Sequence, residues 1–402
     1  MLKGMSLRYC FVALLFISCS LLCPIATNAQ ADAESRSWNQ PVKPFRIIGN
    51  IYYVGASDVT SYLIVTPKGH ILLDSGFVET VPQIQQNIAQ LGFKLRDVKI
   101  LINSHAHYDH AGGLAKLKQL TGARLIVSAA DAKLLAAGGK GDFAFGNKFT
   151  YPPVRADRLI GDWDEITLGG VKLVAHLTPG HTKGNTTWTT KVQDGGKEYN
   201  VVFAGSTSAP GYTLVDNAKY PMIAEDYLLT FWRMRALPCD VFLAPHGMFF
   251  SLKEKSQLLA EGKQPNPFID PEGYKTYLKE SEAEFRDKLD KQAYPDPTID
   301  GERRCWQPDR GVLMETAEKR RFTVREVHFL VPGNTPEEKL RRQMGNFNDG
   351  DIFSRAKLSA SINRMNRFQT GIDPLRLNDV MVIMDEWNKS IFIVICSRSK
   401  RR

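Results

Sequence analysis

The densest group of possible metal ligands in this 402-residue chain lies in residues 104–113, Ser-His-Ala-His-Tyr-Asp-His-Ala-Gly-Gly. It holds His105, His107, Asp109 and His110, although the whole chain has only 8 histidines. Imidazole nitrogens and carboxylate oxygens are the ligands that a borderline-soft divalent ion such as zinc prefers. His105 and His107 can point one way while Asp109 and His110 reach a second point nearby. The segment therefore predicts two neighbouring metal sites, and a solvated histidine-rich loop is the alternative.

Two further histidines lie in turn-like segments that follow strands. His181 lies in Thr-Pro-Gly-His-Thr-Lys-Gly and His246 in Ala-Pro-His-Gly. Either histidine alone would more often be a polar surface residue. Two sites that share a hydroxide need about six protein ligands, and these two histidines bring the candidates to that number. The remaining histidines lack such contexts and are interpreted as core or surface residues: His70, His176 and His328.

Each ligand segment directly follows an apolar run that predicts a strand: 98–102, 171–176 and 241–244. Further strands are predicted at 51–54, 62–66, 70–73, 124–127, 166–168, 186–190 and 200–204. Helices are predicted at 81–91, near 114–120, near 222–236 and over the apolar positions from 274 to 289. Residues 138–155 lack periodicity and predict a long loop that is functional or mobile.

The length and composition predict two globular domains behind an export signal. The chain has 43% hydrophobic and 24% charged residues, which is ordinary for folded protein. Residues 1–29 predict a secretory signal peptide, with Lys3 and Arg8 before a mostly apolar core. That core is shorter than the roughly 20 residues of a membrane-spanning helix. We therefore expect a periplasmic protein, whose three remaining cysteines allow at most one disulfide.

The net charge of +9 is concentrated at the C-terminal end of the chain. Residues 321–402 hold fifteen Lys and Arg against nine Asp and Glu. The main body is nearly neutral, so the composition predicts no nucleic-acid binding there. The basic tail at 398–402 is interpreted as a solvated terminus.

A charge-rich connector at 294–320 leads to a small α+β unit at 321–397. The pattern predicts a strand at 322–331, a helix that begins with a capping box at 335–338, a second helix, and a hairpin of 380–384 with 391–395. The second helix carries one apolar stripe: Leu358, Ile362, Met365 and Phe368. The predicted order is β-α-α-β-β.

Residues 38–293 resemble the metallo-β-lactamase superfamily, which implies an α/β fold with an αββα sandwich. Five landmarks carry the resemblance: Leu-Leu-Asp-Ser-Gly at 72–76, His-Ala-His-Tyr-Asp-His at 105–110, Pro-Gly-His181, Ala-Gly-Ser206 and Pro-His246. The superfamily holds many hydrolases, so the metal motif alone does not select a substrate. Ser206 stands where glyoxalase II and the lactonases have a bridging aspartate and where one lactamase subclass has a cysteine. A serine at this position resembles subclass B3. Four segments of the chain also resemble that subclass: 138–143, 151–154, 206–212 and 236–240.

The resemblance implies two Zn²⁺ ions per chain and hydrolysis of a β-lactam by a hydroxide that the two metals share. The first zinc would be held by His105, His107 and His181. The second would be held by Asp109, His110 and His246. Asp109 would also orient the nucleophile.

Other residues are assigned supporting roles. Ser206 and Ser208 are expected to bind the substrate carboxylate, with an ordinary Ser/Thr loop as the alternative. Asp74 is expected to hold a ligand-bearing loop from behind. Aromatic residues of the long loop are expected either to line one wall of the site or simply to pack within the loop: Phe143, Phe145 and Tyr151.

Two features leave alternatives open. Some family members pair a cysteine at the Cys239 position with one in the last helix, which has none here, so Cys239 is either free or paired with Cys305. Residues 321–397 resemble a POTRA domain, which implies capture of a periplasmic or outer-membrane protein by strand addition; a passive appendage is the alternative.

The function of the whole chain also has alternatives. The chain could hydrolyse another ester, lactone or amide, or act mainly through its C-terminal unit.

Overall fold

The computed structural model describes residues 35–293, 314–315, 317–318, 321–330, 344, 350–367, 380–385 and 390–396. Several predicted features lie outside the described residues: the signal peptide, most of the connector, the capping box at 335–338, Phe368 and the basic tail. Among the described residues, no helix combines the length and the apolar character needed to cross a membrane.

The first sheet has seven strands in chain order. They are β1 (Phe45–Ile48), β2 (Ile51–Tyr53), β3 (Tyr62–Thr66), β4 (Gly69–Leu73), β5 (Val98–Ile102), β6 (Arg124–Ser128) and β7 (Arg158–Ile160). Strands β1 to β4 form an antiparallel meander, and β4 to β7 are parallel. The parallel part requires crossover connections, which the helices supply.

The second sheet has five strands in the order β12-β11-β10-β9-β8. They are β8 (Glu165–Leu168), β9 (Val171–Leu177), β10 (Thr186–Asp194), β11 (Lys197–Phe203) and β12 (Val241–Leu243). Neighbours are antiparallel except β11 and β12, which are parallel. The long hairpin of β10 and β11 turns at Gly195 and Gly196, where φ is +58° and +80°, values that glycine adopts without steric cost.

Helices cover the outer faces of both sheets. They are α1 (Val81–Gln90), α2 (Tyr108–Ala111), α3 (Leu114–Thr121), α4 (Ala129–Ala136), α5 (Ile223–Arg235), α6 (Leu252–Ala260) and α7 (Pro271–Ala293). One buried cluster joins α1 and α3 to the first sheet. A larger cluster fills the space between the sheets around Trp188 and extends to α7 through Tyr274 and Tyr277. The predicted αββα sandwich is therefore confirmed.

Most predicted elements form within a residue or two of the expected bounds, but five were missed: β1, β7, α2, α4 and α6. β7 has only three residues, two of them exposed, so it has no alternation to detect. Helix α4 is alanine-rich and buries only Asp131 and Leu135, so it lacks a recognisable apolar stripe. Ser128 caps it by accepting a hydrogen bond from the Asp131 amide.

The described part of the C-terminal unit is a three-stranded sheet with one helix. The elements are β13 (Thr323–Leu330), α8 (Arg355–Arg367), β14 (Val380–Asp385) and β15 (Ser390–Cys396). Strand β15 is central, parallel to β13 and antiparallel to β14. Leu358, Ile362 and Met365 pack with the buried face of this sheet, as their helical spacing predicts.

Candidate metal centre

The predicted ligands lie on three loops that meet at one edge of the sandwich. One loop follows β5 and carries His105 and His107, and short helix α2 continues it. The others follow β9 and β12, in different positions of the second sheet. The loops are joined across the sheets, because the Thr186 amide donates to the Ser104 carbonyl at 2.8 Å. The Trp188 indole donates to the Asn103 carbonyl at 3.0 Å.

Three histidine nitrogens converge at the first predicted site. His181 Nε2 lies 3.2 Å from His105 Nε2 and 3.0 Å from His107 Nδ1. All three side chains are buried. Three imidazoles that share one small space satisfy the geometry of a three-nitrogen metal site.

The ligand atoms of the second predicted site are as close to one another as those of the first. His110 Nε2 lies 3.2 Å from His246 Nε2. Asp109 Oδ2 is 3.3 Å from His110 Nε2 and 3.5 Å from His246 Nε2. His105 also lies with Asp109 and His110 in one group whose ligand atoms are within 4.8 Å of one another. The two sites are therefore neighbours, as the local spacing predicts.

The second nitrogen of each histidine faces outward, toward an oxygen of the protein. His181 Nδ1 donates to the Ser208 carbonyl at 2.7 Å, and His246 Nδ1 donates to Asp58 Oδ2 at 2.7 Å. His105 Nδ1 lies 3.0 Å from Ser104 Oγ, whose hydroxyl donates to Asp74. Metal-binding histidines are commonly oriented in this way, because an outward hydrogen bond fixes the ring and its tautomer.

Two of the outward contacts are longer. His107 Nε2 is 3.5 Å from Asp142 Oδ2, and His110 Nδ1 is 3.7 Å from Asp74 Oδ2. Both nitrogens are buried and lack a hydrogen bond. Asp142 and Asp74 therefore place a carboxylate behind each of these rings.

The electrostatic environment of the two sites favours a bound cation. Burial and the neighbouring imidazoles hold the pKa of His105 and of His181 well below the usual range, which favours the neutral, metal-binding form. Burial opposes ionisation of Asp109, but His110 and His246 outweigh it and hold the pKa of its carboxyl well below normal. Burial also opposes charging of His246, yet Asp109 and Asp58 raise its pKa to about 9. The second site is thus an anionic pocket that attracts positive charge, and its donor set fits zinc.

Two buried aspartates hold the ligand loops from behind. Asp74 accepts hydrogen bonds from the amide and the hydroxyl of Ser104, each at 2.7 Å, directly before the candidate ligand His105. Asp131 accepts from the Ala106 amide and the Thr182 hydroxyl, each at 2.8 Å. It therefore ties the His105–His107 loop to the His181 loop.

Sequence reasoning missed several supporting residues: Asp58, Asp131, Asp142 and Trp38. Asp142 lies in the glycine-rich segment 138–143, which is one of the segments that resemble subclass B3, so the sequence did hold a signal for this residue. Asp58 and Asp131 belong to no local motif, and only the tertiary fold brings them to the ligands. The Trp38 ring packs edge-on against the His246 ring at 5.2 Å.

Ser206 and Ser208 lie beside the first site. Their hydroxyl oxygens are 3.2 Å apart, and Ser208 Oγ is 3.4 Å from His181 Nδ1. Asn185 fixes the loop by accepting from the Ser206 amide and donating to its carbonyl. Two hydroxyls at this spacing can bind one carboxylate.

The three aromatic residues of the long loop divide between the two expected roles. The Phe145 ring lies 5.2 Å from the His107 ring and forms part of a wall. Tyr151 is buried beneath the ligand loop and donates to the Ala106 carbonyl at 2.5 Å. Phe143 packs on Tyr212 and Tyr220, which is packing of the loop itself.

Cys239 forms no disulfide with any residue in the described part of the chain. Burial raises the pKa of its thiol to about 12, with Asp240 adding to the effect. Cys305 lies outside the described residues, so a pairing between the two stays a prediction.

A two-sheet αββα sandwich with clustered histidines and an aspartate at one edge defines a metal-dependent hydrolase. A family profile described as the metallo-beta-lactamase superfamily matches residues 54–246. The FEZ-1 metallo-β-lactamase from Legionella gormanii is 46% identical, with a TM-score of 0.63, over 64% of this chain and 98% of that one. BJP-1, a subclass B3 metallo-β-lactamase of Bradyrhizobium japonicum, is 38% identical, with a TM-score of 0.60, over 64% of this chain and 97% of that one. The chain belongs to the metallo-β-lactamase superfamily.

A curated relative points to a different substrate. A hydroxyacylglutathione hydrolase from Pseudomonas savastanoi pv. phaseolicola is 34% identical over 93 residues, which cover 23% of this chain. The match spans only 27% of that relative's length. This similarity covers too little of either protein to assign a substrate.

Proposed function

We propose that this chain is a di-zinc β-lactamase of subclass B3, which opens the β-lactam ring of antibiotics. The observation that carries the proposal is the composition of the second site. Asp109, His110 and His246 form it, while Ser206 occupies the position at which glyoxalase II-like hydrolases have an aspartate. The high identity to solved β-lactamases over nearly their whole length supports the same assignment.

His105, His107 and His181 would hold one zinc, and Asp109, His110 and His246 the other. When bound, the two ions supply a Lewis acid for the lactam carbonyl and lower the pKa of water toward neutrality. Asp109 is placed to orient the attacking water, because its carboxylate lies at the second site and stays ionised. The hydroxyls of Ser206 and Ser208 would bind the substrate carboxylate and so fix the ring beside the metals.

Two aromatic rings flank the predicted metal sites. Phe145 lies beside His107 on one side, and Trp38 lies beside His246 on the other. The hydrogen bond from His181 to the Ser208 carbonyl couples the position of a ligand to the position of the substrate-binding loop. A substrate bound at Ser208 would therefore have a fixed position relative to the first metal site.

The decisive experiment is an assay of the purified protein with a chromogenic cephalosporin and a carbapenem. We expect hydrolysis that a chelator abolishes and added zinc restores, with two equivalents of zinc bound per chain. His181→Ala should remove the activity. His176→Ala is the matched control, because His176 lies outside the metal cluster and bonds to Thr189 at 2.8 Å. Full zinc loading without hydrolysis of any lactam would contradict the proposal.

The second candidate is hydrolysis of a thioester, lactone or other amide, which the similarity to hydroxyacylglutathione hydrolases favours. The same zinc-loaded preparation should be offered a hydroxyacylglutathione thioester and a lactone. Turnover of either one with kcat/KM well above that for every lactam would favour this candidate.

We also propose that the protein is exported to the periplasm and that residues 321–397 bind a periplasmic or outer-membrane protein. The described sheet of this unit has β13 and β14 as its outer strands, and strand addition is a common way for such a sheet to bind an extended segment. Deletion of residues 321–402 should abolish partner capture in crosslinking of periplasmic extracts and leave lactam hydrolysis unchanged. Equal crosslinking with and without the unit would contradict partner binding.

A further inference from the structure

A cavity of about 440 Å³ lies beside Ser208 and Phe249, next to the metal centre. Its walls come from residues 207–209, residues 248–251 after His246, one face of α7, and the side chains of Phe242, Lys255 and Asp270. Its volume is in the range of pockets that hold small organic ligands. The proposed function assigns it no role.

The cavity and the metal centre share two residues. Ser208 lines the cavity, while its carbonyl accepts the hydrogen bond from the ligand His181 at 2.7 Å. Phe249 also lines the cavity, and its ring is 5.4 Å from the His246 ring. Ser208 therefore borders both the metal centre and the cavity.

The interior of the cavity is aromatic. The Phe249 ring lies 5.4 Å from the Tyr277 ring, and Phe242 lies 4.9 Å from Tyr277 on the other side. Tyr277 is fixed by the hydrogen bond that it accepts from the Thr207 hydroxyl at 2.8 Å. The faces and edges of these aromatic rings favour contact with a flat apolar or aromatic group.

The charge of the lining favours a cation. Both lysines of the lining are engaged: Lys255 donates to Asp270 at 2.6 Å, and Lys288 donates to the Ala209 carbonyl at 2.5 Å. Glu280 and Glu284 lie at the exposed rim, and Glu284 is 3.8 Å from Lys288. The lining therefore carries one more carboxylate than it has ammonium groups, next to aromatic rings that attract positive charge.

We propose that this cavity receives the substituent that a β-lactam carries beside its carboxylate, and that it prefers a planar, positively charged substituent. This inference rests on the proposed function. In a cephalosporin, the carbon at position 3 is bonded to the carbon that bears the carboxylate. A carboxylate bound at Ser206 and Ser208 therefore directs the position-3 substituent past Ser208 and into the cavity.

The test compares two cephalosporins that have the same acyl side chain. One carries a pyridinium-methyl group at position 3 and the other a methyl group. The double variant Glu280→Gln, Glu284→Gln should raise KM for the pyridinium compound about 3- to 10-fold, an effect that added salt reduces, and should leave its kcat and both constants for the methyl compound unchanged.

A steric variant tests the location independently of charge. Thr276 lies on the exposed side of the cavity wall in α7. Thr276→Trp should raise KM for the pyridinium compound at least 5-fold and leave the methyl compound unaffected, whereas Thr276→Ser should affect neither. If both compounds respond equally to these variants, or neither responds, the cavity assignment is wrong while the proposed function stands. If the zinc-loaded protein hydrolyses no lactam, the proposed function fails and the substituent assignment fails with it.

Discussion

Asp131 Oδ2 accepts a hydrogen bond from the Thr182 hydroxyl at 2.8 Å, which joins helix α4 to the residue that follows the candidate ligand His181. The same oxygen accepts from the Ala106 amide, between the candidate ligands His105 and His107. One carboxylate therefore sets the separation of two loops that come from different sheets. Burial raises its pKa to about 6, and its hydrogen bonds with Thr182, Gly184 and Ala106 limit the rise.

Asp131→Ala should reduce zinc affinity at the first site about 10- to 100-fold, because the two loops lose their common acceptor. Competition with a chromogenic chelator measures this directly. Asp157→Ala is the matched control: Asp157 also accepts a backbone hydrogen bond, from the Leu125 amide at 2.7 Å, but contacts no ligand loop. Equal zinc affinity in the two variants would contradict the role assigned to Asp131.

Asp58 has the corresponding position behind the second site. Its Oδ2 accepts from His246 Nδ1, and its Oδ1 accepts from the Met248 amide at 2.8 Å. Asp58→Asn keeps the size of the side chain and removes the charge, so the second zinc should bind about 10-fold more weakly while the first is retained. Calorimetric titration of the chelated protein with zinc should resolve the two events. A parallel loss at both sites would show that Asp58 supports the whole edge of the sandwich and has no selective effect on His246.

Ser208→Ala should raise KM for lactams by about 10-fold with little change in kcat, because one hydrogen bond to a charged group is worth about 1.5 kcal/mol. The main-chain carbonyl that holds His181 is unaffected by this change. Thr207→Val is the control, since the Thr207 hydroxyl donates to Tyr277 and does not face the metal centre. We expect Thr207→Val to lower thermal stability while leaving KM unchanged for a cephalosporin that carries only a methyl group at position 3 and so does not reach the cavity beside Tyr277. A fall in kcat with constant KM for Ser208→Ala would argue against carboxylate binding.

The candidate ligands could be recognised from sequence because they lie within single loops that directly follow strands. Strand β5 has four of its five residues buried, so its apolar run is easy to recognise, and His105 follows three residues after its end. The order of the landmarks then implied the two-sheet sandwich. Local spacing alone was enough to pair His105 with His107 and Asp109 with His110.

The supporting residues could not be predicted, because their contacts are long-range in sequence. Asp58 reaches His246 across 188 positions, and Asp131 reaches Thr182 across 51. Neither aspartate differs locally from an ordinary loop or helix carboxylate. The cavity beside Ser208 could not be predicted from the sequence either, because it depends on how α7 packs against residues 207–209 and 248–251.

His176 should make the stability of the protein depend on pH in a way that can be separated from metal loss. Its side chain is buried at the end of β9, bonded to Thr189 and packed at 4.6 Å against the Trp163 ring. Burial lowers its pKa from 6.5 to about 4, and the nearby Arg233 adds to the effect.

Because the pKa is lower in the folded state, the unfolded chain binds the proton more readily. The contribution of His176 is therefore complete above pH 6.5 and is lost as the pH falls toward 4. At pH 5 the loss should be about 2 kcal/mol relative to pH 8.

His176→Gln keeps a hydrogen-bonding group and removes the titration. We expect the difference in unfolding free energy between the original protein and this variant to shift by about 2 kcal/mol between pH 8 and pH 5, in favour of the variant at pH 5. Urea denaturation of both chelated proteins at the two pH values measures it, and chelation removes the contribution of metal release. A pH-independent difference would mean that His176 does not bind its proton more weakly in the folded protein.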